Sequence, residues 1–176
     1  MKERNWAWFG FFVVSVLGSL FHFVYDWFPS SFTTVIGAVN ESTWEHMKLA
    51  FFPMLLFAVA EFFLYGKHAK GFVPIRVCSI LIAVLLIPIL FYSYTGAFGR
   101  SITVLDLLIF FGSVFAAYLF SYRQLRNPWE GFGTTWANVV SLIFLLALLV
   151  CFLLFTKYPP HIPLFRDPIS GGYGIA

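Results

Sequence analysis

Five apolar stretches divide this chain, at about residues 6–28, 43–65, 73–94, 102–122 and 135–155. Each is roughly twenty residues long. At 1.5 Å rise per residue, a helix of that length crosses the roughly 30 Å hydrocarbon core of a bilayer. A segment inside lipid has no water to bond its amides and carbonyls, so it must satisfy them itself, as a helix does. The expected fold is therefore all-α: a polytopic bundle of five transmembrane helices forming a single membrane domain over residues 1–176. Composition agrees, because 60% of the residues are hydrophobic and only 11% charged. A soluble domain carries about 25% charged residues. The net charge of +3 is not gathered into a basic run, so no nucleic-acid partner is expected. The bilayer is the expected partner, and a second copy of the chain or a partner subunit is left open.

An odd number of spans puts the two termini on opposite sides. Lys2, Arg4, Lys67, Lys70, Arg76, Arg123 and Arg126 fall on one side, against Arg100, Lys157, Arg166 and the borderline Lys48 on the other. The bias of basic residues toward the cytoplasm then predicts a cytoplasmic N-terminus and an external C-terminal tail over 156–176. Pro53 and Pro88 lie within spans, where each removes a backbone donor and predicts a kink. The six tryptophans fall near span ends, as an aromatic belt requires. Cys78 and Cys151 lie in apolar segments without metal-binding or redox spacing and read as packing residues.

This topology gathers the polar side chains. Residues 39–48, Val-Asn-Glu-Ser-Thr-Trp-Glu-His-Met-Lys, open the second span with two acids, an imidazole, an amide and an ammonium. His22 and Asp26 are four apart near the end of the first span and share a helix face. Asp106 opens the fourth span, and His161 and Asp167 lie in the tail. All of these, with Asn40 and Glu41, belong to the external end. Glu61 lies deeper, and its expected partner is His68 or Lys67. Ionisable groups inside a membrane are expensive, and each is a functional-site hypothesis with a partner to be named. The competing reading is structural. Ser42-x-x-Glu45 has the form of a helix capping box, Lys48 can snorkel to the interface, His22 can pair with Asp26, and Asp106 with Arg100 or Lys48.

Two imidazoles and carboxylates at one membrane face suit a divalent metal such as zinc, whose catalytic sites keep one position open for water. On this reading a metal-dependent membrane hydrolase has His22, Asp26 and His46 as ligands, Glu45 as general base and Lys48 stabilising developing negative charge. A second reading is a small transporter or proton or ion pathway, with His22, Asp26, Glu45, His46, Asp106 and Glu61 as a relay. A third is a non-catalytic accessory subunit. The expectation that separates the first two from the third is that His22, Asp26, Glu45, His46 and Asp106 lie within roughly 10 Å of one another, since metal and hydrogen-bonded clusters need short contacts.

The segments Val-Asn-Glu-Ser-Thr-Trp-Glu-His-Met-Lys-Leu, His22-Phe-Val-Tyr-Asp26-Trp27 and Phe165-Arg-Asp-Pro-Ile-Ser-Gly-Gly-Tyr-Gly174 together resemble a family of uncharacterised bacterial multi-pass membrane proteins. The resemblance covers nearly the whole chain. It implies a bacterial inner-membrane location and brings no activity with it. A looser similarity is to metal-dependent membrane hydrolases related to alkaline ceramidases, which place His and Asp on helices near one membrane face but have seven spans where this chain has five.

Overall fold

The computed structural model describes residues 2–175. Its long helices are α1 (Lys2–Trp27), α3 (Thr43–Leu64), α4 (Phe72–Phe98), α5 (Thr103–Arg126) and α6 (Thr135–Lys157), with a short α2 (Ser31–Ile36) between the first two. All five long helices are long and apolar enough to cross a membrane, the architecture of a multi-pass membrane protein. No β-strand occurs among the described residues.

The hydropathy pattern places the spans closely, and local chemistry explains the differences. α4 continues past the expected turn at 95–101 as far as Phe98. The Gly99 amide closes it on the Thr95 carbonyl (2.8 Å), in a left-handed conformation (φ 72°) that glycine adopts without a Cβ penalty. α2 lies in what read as a loop. The Ser30 hydroxyl accepts the Thr33 amide (3.1 Å) and the Thr33 hydroxyl accepts the Ser30 amide (3.0 Å), a reciprocal cap for one helical turn. Helices α3 and α4 run through Pro53 and Pro88.

α3 and α4 are the central pair. α3 is the most buried of the long helices and α6 the most exposed. α1 packs on α3 and α5, and α4 packs on α3, α5 and α6, so α3 and α5 share both α1 and α4 as neighbours. Two glycines let α1 approach closely. A Cβ on Gly18 would lie 2.7 Å from the Leu49 carbonyl oxygen, and one on Gly10 would lie 2.4 Å from the Tyr118 ring.

The middle of the bundle is an apolar layer that includes Phe51, Met54, Phe57, Ala83, Val84 and Val114. It lies between two polar centres, one at each end of α3. The C-terminal tail folds back against the end where α3 begins. A turn at Pro163–Phe165 seats Phe165 beside Trp44 and Phe155, with ring centroids 4.8 and 5.6 Å apart.

Candidate functional site

The segment joining α2 to α3 has little backbone hydrogen bonding of its own, and side chains hold it instead. The Val39 amide donates to Glu45 Oε2 (3.0 Å) and the Ser42 amide to Asn40 Oδ1 (2.8 Å). Ser42 caps α3 by accepting the Glu45 amide (3.4 Å). The reciprocal half of the expected capping box is absent. Glu45 points back to Val39, not to Ser42, because Lys48 and Thr156 claim its carboxylate.

That carboxylate belongs to a buried network. Lys48 Nζ lies 2.6 Å from Glu45 Oε2 and donates to the Thr34 carbonyl (2.9 Å) and the Thr156 hydroxyl (3.2 Å). Thr156 in turn donates to Glu45 Oε1 (3.2 Å). Side-chain exposure is 0% for Lys48 and 2% for Glu45. Lys48 does not snorkel to the interface. The ion pair ties α2, α3 and α6 together, and neither partner presents its charge at an open face.

One turn of α3 away, Glu41 meets two histidines. Its Oε2 lies 3.5 Å from His22 Nε2 and 3.5 Å from His46 Nε2, and the two imidazole centroids are 5.3 Å apart. One ligand atom from each of the three residues falls within 4.8 Å of the others. The side chains are 27%, 34% and 39% exposed for His22, His46 and Glu41, so this cup opens outward at the rim of the bundle.

Electrostatics tell what such a cup demands. His46 Nδ1 lies 2.9 Å from the Ser42 carbonyl, which can only accept, so Nδ1 carries a proton, and whenever the ring is neutral Nε2 is a lone pair. That lone pair faces a carboxylate oxygen, and the two repel unless a cation lies between them. A proton would draw them to about 2.7–2.9 Å, the range of charge-assisted N–H···O bonds. Tetrahedral zinc, with bonds of about 2.0–2.1 Å, holds neighbouring ligand atoms roughly 3.3 Å apart. At 3.5 Å the gap admits either cation. The Ser42 carbonyl also acts as the outer partner that orients a ligating histidine. His22 Nδ1 is buried with no protein partner among the described residues. The Glu41 carboxyl is held below the usual carboxylate range, first by its interaction with His22, then by the charge of His46, against the opposing effect of burial.

Of the residues expected to meet here, His22 and His46 do so, and Glu41 takes the third position in the cup. Asp26 is exposed one turn beyond His22 and lies outside the three-residue group, though near enough for its charge to act on His22. Asp106 joins neither the cup nor Arg100 or Lys48. It accepts from the Tyr94 hydroxyl and from Ser101 (3.2 Å) at the junction of α4 and α5. His161 stacks on Tyr173 within the tail at 4.5 Å. Asp167 caps the tail's own turn, accepting from the Ile169 amide (3.0 Å) and the Ser170 hydroxyl (2.6 Å). Asn40 donates to the Gly174 carbonyl (2.8 Å), which pins the tail to the loop.

Glu61 belongs to the second polar centre, at the opposite end of α3. Its partner is Arg76, not His68 or Lys67. Arg76 Nη2 donates to Glu61 Oε1 (2.5 Å) and to the Tyr65 hydroxyl (3.1 Å), and Nη1 donates to Ser121 (2.6 Å). The guanidinium also lies over the Phe72 and Tyr118 rings. The charge count had assigned Arg76 to the cytoplasmic anchors, but it turns inward and is 5% exposed.

No curated protein and no solved structure matches the chain. A family model matches residues 1–175, and on that match the chain belongs to DUF6512, a family of unknown function.

Proposed function

We propose that this protein is a metal-dependent hydrolase of the membrane rim, with His22, Glu41 and His46 as the ligands of one divalent cation such as zinc. The observation that carries this reading is the pair of 3.5 Å separations from one Glu41 oxygen to two histidine nitrogens, one of which is a lone pair whenever its ring is neutral. Two imidazoles and one carboxylate make a donor set that zinc takes in hydrolytic sites. A cation held by three protein atoms on an open face keeps a position for water, which it would ionise near neutral pH for attack on an ester or amide.

The roles differ from those suggested by spacing alone. Glu45 is already neutralised by Lys48 inside the bundle, so it is poorly placed to take a proton at the rim. Asp26 is the exposed carboxylate beside His22 and is the better general base. Lys48 supports the site by fixing the start of α3. The charge bias of the loops favours an orientation in which the cup faces outside a bacterial inner membrane. A transport path gains no support from this geometry, because packed apolar side chains, Phe51 and Phe57 among them, lie between the two ionic centres.

Metal analysis of the purified protein tests the reading. About one equivalent of zinc is expected after incubation and desalting, lost in His22→Ala, Glu41→Ala or His46→Ala and retained in Asp26→Asn. Asp26→Asn should also slow cleavage of an ester probe dispersed in the micelle at least 10²-fold, the usual worth of a positioned base. A wild-type protein that takes up no metal sinks the proposal.

A further inference from the structure

The tail returns from α6 to the same loop that carries the Glu41 ligand and is tied to it beside that ligand. Asn40 donates to the Gly174 carbonyl and accepts the Ser42 amide, so one side chain joins residues 134 positions apart and braces the segment on either side of Glu41. The Asp167 carboxylate, 8% exposed, holds the turn of the tail by accepting from the Ile169 and Ser170 amides and from the Ser170 hydroxyl. Phe165, 4% exposed against Trp44, anchors the tail to α3 one residue after Thr43 and two before His46.

We infer that the C-terminal tail is a working wall of the His22–Glu41–His46 site, with Asn40 as the positioning residue for the Glu41 ligand and Asp167 as the residue that shapes the tail it grips. The inference rests on the metal reading and adds to it a coupling. Glu41 sits on a loop whose amides at 39 and 42 are held by side chains, so its carboxylate is aimed only when those side chains are in place. One of them, Asn40, engages the tail directly, and Asp167 holds the turn of that tail. Linkage then requires reciprocity: a docked tail tightens metal binding, and bound metal tightens tail docking by the same factor. Outer partners of this kind are worth about 10–100-fold in metal affinity.

The test uses the full chain in nanodiscs, with Co²⁺ as the probe because its visible absorption reports ligand geometry. Asn40→Ala and Asp167→Asn should each weaken Co²⁺ binding about tenfold or more. In the wild type, Co²⁺ should slow amide hydrogen exchange over residues 163–175, and it should fail to do so in His46→Ala. That reciprocal protection is a readout a merely structural tail would not show, and it needs no variant of the tail to fold. If the wild type binds Co²⁺ while both variants keep its affinity and tail exchange ignores the metal, the inference is overturned and the metal site stands. If the wild type binds no Co²⁺, the metal reading fails and the inference fails with it.

Discussion

Lys48 is an ammonium with no exposed surface, 2.6 Å from an equally enclosed carboxylate. Taking two charges out of water costs several kcal/mol each, and attraction offsets this only when the remaining donors and acceptors are also met. Here Thr34, Thr156 and Val39 meet them. Removing one partner strands the other, so Lys48→Met should cost about 3–5 kcal/mol. Replacing both by apolar residues of similar size, as in Glu45→Leu with Lys48→Met, should recover most of that. Unfolding midpoints in detergent for the two singles and the double decide it, and a double no more stable than the worse single would show that the pair is not the stabilising unit. The same logic covers Arg76, whose replacement by Met leaves Glu61 buried without its ion partner. Which acid meets which base was only partly legible in the residues. Glu45 and Lys48 are three apart on one helix and could be paired by spacing. Glu61 and Arg76 lie on successive helices across a turn, where no periodicity connects them, and Arg76 read as an anchor because it begins a span. Glu41 was visible as an acid near the mouth, but its reach to both imidazoles depends on the path of a loop that obeys no period.

At the scale of elements, the contact of α1 with α3 depends on Gly18. The Leu49 carbonyl that a Cβ would meet is backbone and cannot swing aside as a side chain can. Gly18→Leu should force the helices apart, at about 1–3 kcal/mol as for other overpacked interiors. Because His22 is one turn further along α1, that variant should also weaken metal uptake, and a variant that binds metal normally would show the packing at Gly18 and the placing of His22 to be independent. The turn within the tail is acid-sensitive. Asp167 has a carboxyl depressed in the folded state, so its contribution is present above the ordinary carboxylate pKa and is lost as pH falls through the lower folded value. Hydrogen exchange over 163–175 should therefore be slow at neutral pH and quicken, beyond the intrinsic rate, only at acid pH below the usual carboxylate range. Asp167→Asn should already be fast at pH 7. The spans themselves were legible because a run of about twenty apolar residues has few alternatives. The last turns of α4 and α5 were not, since a polar sequence at a helix end can fray or continue, and only the left-handed Gly99 decides where α4 stops.

At the scale of the whole molecule, the polar chemistry is confined to two ends of a helix bundle and the centre is aromatic and aliphatic. With that much packed material between them, substitutions in the two centres should add: the stability loss of Glu61→Gln combined with Glu45→Gln should equal the sum of the singles to within about 0.5 kcal/mol. A larger coupling term would mean that the ends communicate. The membrane-embedded fold was readable from hydropathy, while the seating of the tail was not, because a contact between Trp44 and Phe165 leaves no trace in local pattern. That seating has a consequence for biogenesis. Residues 165–174 emerge from the ribosome after every span has been made, at about 5–20 residues per second. A nascent chain already threaded into the bilayer therefore carries Glu41 on a loop that residues made later have yet to brace.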